Sequence, residues 1–181
     1  MINIKLTLTF ILFNILSCQL KGQQLPGIFD ACRTGNFDVI KKLSIHHLDI
    51  LNSQDDKGYT PLILAVYNDH PHIVKFLLSQ SVHVDAQDNS GNTALMGAVF
   101  KGYSYYVKLL LQHKASVNLQ NYNLATALTF AVTFSSSDVV SELLAQEAQY
   151  DLKDARGLTP LDHAWMQGNI MAEELIRTYT D

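Results

Sequence analysis

Apolar residues in this chain fall in short, closely spaced groups separated by polar turns. Ile73, Val74, Leu77 and Leu78 follow the i, i+1, i+4, i+5 spacing of one helical stripe. Tyr106 aligns with Ile73 one period on, and paired leucines recur at Leu77-Leu78, Leu110-Leu111 and Leu143-Leu144. Each stripe is preceded by a second apolar group: Thr60-Pro61-Leu62-Ile63-Leu64-Ala65, then Thr93-Ala94-Leu95-Met96-Gly97-Ala98. Thr126-Ala127-Leu128-Thr129-Phe130-Ala131 and Thr159-Pro160-Leu161-Asp162-His163-Ala164 complete the series. The threonines stand at 60, 93, 126 and 159, a step of 33 residues. A fixed period of this length predicts a stacked array in which each unit is a pair of short helices.

Local chemistry supports the helix starts. Each threonine can cap a helix by accepting a hydrogen bond from a first-turn amide. Pro61 falls at the first helical position, where a missing N–H costs nothing. Asp55-Asp56-Lys57-Gly58 reads as a turn between units, with Gly58 at positive φ. Asp69 stands at a helix exit that favours glycine, so some strain is expected there. Gly91 and Gly102 keep the turn and exit positions in the third unit. In the fourth, Leu124 and Ser135 replace them, and that unit is expected to have the least regular backbone, because leucine at positive φ costs about 1 kcal/mol or more. The first unit lacks the Thr-Pro start, as a terminal repeat can, and Cys32 occupies the column of Val66, Val99 and Val132, which reads as buried. Trp165 ends that column and is expected to cover the open end of the core. Ala172 and Glu173 thin the last stripe, as suits a terminal cap facing water. Tyr103 and Tyr105 are expected to be more exposed than Tyr106.

The Thr-Pro-Leu start, the recurring Ala at 65, 98, 131 and 164, and the paired leucines together resemble the ankyrin repeat. The resemblance covers residues 25–181. It implies an all-α solenoid of about five helix–turn–helix units joined by β-turn or hairpin loops: 25–54, 55–87, 88–120, 121–153 and 154–181. It also implies a scaffold that binds a protein partner, as a monomer, with no cofactor and no catalysis of its own. In such arrays the turn tips and the outer face of the first helices form a concave strip. Carried over residue by residue, the strip places Tyr59, Tyr67, Asn68, Phe100, Lys101, Tyr122, Phe134, Arg156 and Met166 as candidate partner-binding residues. Aromatic residues, Met and Arg are enriched at interface centres.

Composition narrows the function classes. The net charge is -4 and the pI about 5.9. No basic stripe is present to replace phosphate counterions, so nucleic-acid binding is not expected. His46-His47 and His70-Pro71-His72 are close pairs, but a zinc site needs three or four converging ligands and neither pair has a Cys nearby. Asp162 and His163 are adjacent on a helix and point ~100° apart, which is unsuited to a catalytic pair. No phosphate-binding loop or nucleophile motif occurs.

Residues 1–17 stand apart from the repeats. Lys5 gives a small positive region, and Leu6 to Leu16 is an apolar run too short to span a bilayer, which takes ~20 residues. The pattern is that of a secretory signal peptide. Ile15-Leu16-Ser17-Cys18 resembles a bacterial lipobox, which implies lipidation at Cys18 and membrane attachment through that anchor alone. The alternative is ordinary cleavage to a soluble exported protein. Residues 18–24 read as a polar tether. The expected location is the periplasm or the outer membrane, with secretion as the alternative. The expected role is a protein-binding scaffold in the envelope. A structural component binding cell-wall glycan, or a secreted host-directed effector, are the other readings.

Overall fold

The computed structural model describes residues 27–46 and 48–179, with the backbone alone at 46. The leader, the tether and Cys18 lie outside the described residues. Within them, helices alternate in pairs along the chain: α1 (Ile28–Thr34) with α2 (Phe37–His46), α3 (Pro61–Tyr67) with α4 (Pro71–Ser79), and α5 (Ala94–Phe100) with α6 (Ser104–Gln112). Then come α7 (Ala127–Phe134) with α8 (Ser137–Ala145), and α9 (Pro160–Gln167) with α10 (Ile170–Thr178). A 3-10 turn, Leu48–Asn52, lies between the first two pairs. No strand occurs among the described residues, so the chain is an all-α solenoid.

The threonines cap their helices. Thr60 Oγ1 accepts from the Ile63 amide at 3.2 Å, Thr93 from Met96 at 3.3 Å, Thr126 from Thr129 at 3.3 Å and Thr159 from Asp162 at 3.2 Å. Replacing such a cap by alanine typically costs ~1 kcal/mol. The first helices α1, α3, α5, α7 and α9 stack in order, and each packs on its own second helix. Leu62, Leu95, Leu128 and the four alanines are buried at this contact. Alanine lets the two helix layers approach closely, and the leucines fill the space between neighbouring repeats.

Tyr106 is buried, as its alignment predicts, and its hydroxyl donates to Asp69 Oδ1 at 2.6 Å in the preceding repeat. Asp69 itself sits at φ 57°, the exit strain expected there. Tyr105 is exposed and Tyr103 half-buried. Cys32 is fully buried, and burial pushes its thiol pKa from 9.0 to about 12, so it stays protonated and inert.

Two expectations are corrected. The fourth turn is regular. Asn121 N–H donates to Ala125 O and Leu124 N–H to Asn121 O, matching the Asp88–Asn92 and Gly91–Asp88 bonds one repeat earlier. Leu124 reaches φ 57° against 80° for Gly91. Asn121 Oδ1 accepts from the Asn123 and Ala125 amides, and these bonds hold the leucine in place. The irregularity lies instead at the helix exit, where Ser135 is extended at φ -113° and its hydroxyl donates to Val99 O. The second correction concerns Trp165. The valines of its column are buried because a following repeat packs on them. Trp165 is 73% exposed, so it lies out in solvent instead of closing over the core. Ile170 and Met171 are exposed as well, so apolar side chains face solvent beside the thinned stripe at Ala172 and Glu173.

Polar columns at the same period tie the turns together. Gln54 Nε2 donates to Gly58 O and Gln87 O, Gln87 Nε2 to Gly91 O and Gln120 O, and Gln120 Nε2 to Leu124 O and Lys153 O. The tips are linked by Asn89 N–H to Lys57 O, Tyr122 N–H to Ser90 O and Ala155 N–H to Asn123 O. These columns fix the tips relative to the first helices, and so fix the face between them.

Candidate functional site

The face between the turn tips and the first helices holds two hollows that meet at Phe130. One, of about 230 Å³, is lined among others by Tyr59, Tyr67, Phe100 and Phe130, with Asp88, Met96 and Gly97. The other, of about 380 Å³, is lined by Thr129, Phe130, Phe134, Asp154, Arg156 and His163 among others. Their walls come from neighbouring repeats, so the register of the stack sets their shape.

The aromatic groups form a contiguous patch. The Phe100 and Phe134 rings stand edge to face with centroids 5.2 Å apart, and Phe130 lies 6.5 Å from Phe100 and 6.2 Å from Phe134. The Lys101 ammonium ion lies 4.7 Å from the Tyr67 ring centroid. Tyr67 and Phe100 are each 44% exposed and Phe134 56%. Large rings held half in solvent, with neighbours that fix their orientation, are suited to contact with another macromolecule.

The sequence-predicted residues divide between these places. Tyr59, Tyr67 and Phe100 line the smaller hollow, and Phe134 and Arg156 the larger. Lys101 flanks the smaller one over Tyr67. Tyr59 is half-buried and packs against the core, unlike Tyr67, Phe100 and Phe134. Asn68, Tyr122 and Met166 line neither. Asn68 Nδ2 donates to Leu64 O at its own helix end, and Tyr122 lies over the Gly91 turn at the tip.

Sequence reading missed Phe130, Asp88, Gly97 and His163. They share two columns, 55/88/121/154 at the turn and 64/97/130/163 on the first helix. The period was the available signal, since both columns can be read at the same 33-residue step.

The electrostatics of the larger hollow centre on Asp154. Burial pushes its carboxyl pKa up, but bonds from the Leu158 amide, His163 and Arg156 outweigh this and hold it at about 2. Its Oδ2 lies 2.9 Å from His163 Nε2 and accepts from Arg156 Nε at 3.3 Å. No group of three or more His, Cys, Asp or Glu that could hold a metal occurs among the described residues. No helix among them is long and apolar enough to cross a membrane.

Comparison with known proteins agrees with this architecture. A family described as ankyrin repeats (3 copies) matches residues 28–121, and one described as ankyrin repeats (many copies) matches 110–164. A stretch of 61 residues is 34% identical to alpha-latrocrustotoxin-Lt1a of Latrodectus tredecimguttatus, covering 34% of this chain and 4% of that protein. A stretch of 56 residues is 38% identical to BTB/POZ domain-containing protein 3 of Schizosaccharomyces pombe, covering 31% of this chain and 11% of that one. The chain therefore spans a small fraction of the length of these relatives.

Proposed function

The chain belongs to the ankyrin-repeat family, and from that premise we propose that it is an exported, non-enzymatic scaffold that holds a protein partner on the face between its turn tips and first helices. Ankyrin repeats are protein-interaction modules. The observation that carries the assignment to this face is the solvent exposure of Tyr67, Phe100 and Phe134, three large rings fixed by their neighbours yet left partly uncovered. Export rests on the apolar run from Leu6 to Leu16, and an envelope location on the Ile15-Leu16-Ser17-Cys18 sequence that follows. With Cys18 acylated, the array would sit at a membrane surface and present its face to envelope proteins.

The test is capture from solubilised envelopes of the producing cell. The full chain serves as one bait, and its Tyr67→Ala, Phe100→Ala, Phe134→Ala triple variant as the other. The native chain should retain a protein that the variant loses. The variant should lose no more than about 1–2 kcal/mol of stability, mostly from the broken ring pair. A large stability loss would assign these rings to the core. Equal capture by both baits would remove the face as the binding site.

A further inference from the structure

Four equivalent turn residues, Asp55, Asp88, Asn121 and Asp154, do the same first task. Each uses one side-chain oxygen to accept two backbone amides of its own turn. Asp55 takes Lys57 and Tyr59, Asp88 takes Ser90 and Asn92, Asn121 takes Asn123 and Ala125, and Asp154 takes Arg156 and Leu158. They differ at the second side-chain atom. Asp55 Oδ2 accepts from the Arg33 guanidinium. Asp154 Oδ2 meets Arg156 and His163. Asn121 is neutral, and its Nδ2 donates to Asn92 Oδ1 at 2.9 Å. Among the described residues, the one partner of Asp88 Oδ2 is the Asn92 side-chain amide, at 3.4 Å. No ion pair among the described residues involves Asp88, although it is only 7% exposed. A carboxylate this buried, held by hydrogen bonds alone, gains further from a cation brought against its second oxygen.

The space beside Asp88 suits such a partner. On the first helix, Gly97 occupies the position held by Leu64, Phe130 and His163 in the second, fourth and fifth repeats. In the last repeat that position carries His163, which meets Asp154 directly. Glycine leaves the equivalent space open, and a Cβ there would meet only the Tyr67 ring, at 3.9 Å. The result is the smaller hollow, walled by Tyr59, Tyr67, Phe100 and Phe130 and reaching Asp88. Aromatic rings together with a carboxylate attract a cation, and a guanidinium can stack on rings while it donates to the carboxylate. At about 230 Å³ the hollow is below the ~300–1,000 Å³ typical of small-molecule sites and fits one side chain. A neutral apolar group would bury Asp88 further with no counter-charge, and an anion would be repelled. Lys101 does not line the hollow. Its ammonium ion is shared between Tyr67 and Tyr103, at 4.7 and 5.9 Å from their centroids.

We propose that this hollow receives a cationic side chain of the partner protein, an arginine, whose guanidinium takes at Asp88 the place that Arg33 takes at Asp55. The assignment rests on the protein-binding reading of the face and adds the chemistry of the group recognised.

The ¹⁵N-labelled full chain in a neutral detergent is titrated with a blocked Gly-Gly-Arg-Gly-Gly peptide. The same peptide with citrulline, the uncharged counterpart, and with lysine serve as comparisons. The arginine peptide should give saturable shifts at the amides of Asn92, Met96 and Gly97. Citrulline should bind at least about tenfold more weakly, a difference of ~1.4 kcal/mol. Asp88→Asn should lose about as much while keeping the thermal midpoint, because Asn121 already performs the same turn duty in the next repeat. Gly97→Leu, which refills the hollow as Leu64 does one repeat earlier, should abolish the shifts. Equal binding of arginine and citrulline, no saturable shift, or an unaffected Asp88→Asn variant would overturn the proposal. Tighter binding of the lysine peptide would overturn the choice of arginine. If partner capture succeeds while the arginine peptide fails, the cation assignment falls and the scaffold reading stands. If the peptide binds while nothing is captured, the scaffold reading falls instead.

Discussion

Leu124 shows what a single residue can be made to do by its neighbours. Its φ of 57° is a conformation that costs an L-residue roughly 1–2 kcal/mol. Two amide bonds accepted by Asn121 Oδ1 and one backbone bond hold it there. The side chain is 47% exposed, so its burial offsets only part of the strain. Leu124→Gly should therefore raise stability by about 0.5–1 kcal/mol, net of the larger entropy glycine gains on unfolding. Thermal melts of the two chains would show it, and a lowered midpoint would mean that the leucine packs better than its exposure suggests. From the sequence alone, a leucine in a glycine position predicts an irregular unit, because the bonds accepted by Asn121 that outweigh the strain are visible only in three dimensions. Asp88 and Gly97 were hidden for a related reason. A glycine inside a helix reads as weak packing, and a turn aspartate reads as a turn former. Only their adjacency, with no cation between them, makes a site.

Helices, caps and turns were far more legible, since a repeated pattern states each element several times. The capping bonds of Thr60, Thr93, Thr126 and Thr159 and the buried columns follow from the 33-residue step. Connections between elements were less so. The glutamine column recurs at the same step, yet glutamine has no strong positional signature and reads as solvent-facing. In the structure, Gln87 Nε2 donates to Gly91 O at 2.7 Å and to Gln120 O at 3.0 Å, joining one turn to the next. Gln87→Ala leaves both carbonyls short of a donor in a half-buried place and should cost about 1–2 kcal/mol. Lys153 ends the column and is exposed, so Lys153→Ala should change stability by less than about 0.5 kcal/mol. Urea unfolding of both variants checks the contrast. Equal losses would show that the column contributes no more than its side-chain packing.

Across the whole molecule, a solenoid is stabilised by neighbour-to-neighbour contacts, so its ends can open without the middle. Charge makes one end acid-sensitive. Asp154 is held at about 2, below its ordinary 3.8, by the amide, histidine and arginine bonds that outweigh its burial. The Thr159 amide and hydroxyl hold Asp162 below the usual carboxylate range as well. Both lie in the last repeat. A folded-state pKa below the unfolded one contributes stability that is complete above the unfolded value and is lost as pH falls through the folded one. The affected window therefore runs from about 4 down to about 2. Among the described residues, α9 and α10 are packed by the preceding repeat alone, and Trp165 is exposed. Amides of 160–178 should consequently lose hydrogen-exchange protection at about pH 3 while those of α3 to α6 keep theirs. Asp154→Asn should be less stable at pH 7 but flatter in its acid response, because the group that titrates is gone. Simultaneous loss of protection in every repeat, or an acid profile unchanged by Asp154→Asn, would show that the array unfolds as one unit and that this carboxylate does not set its lower pH limit.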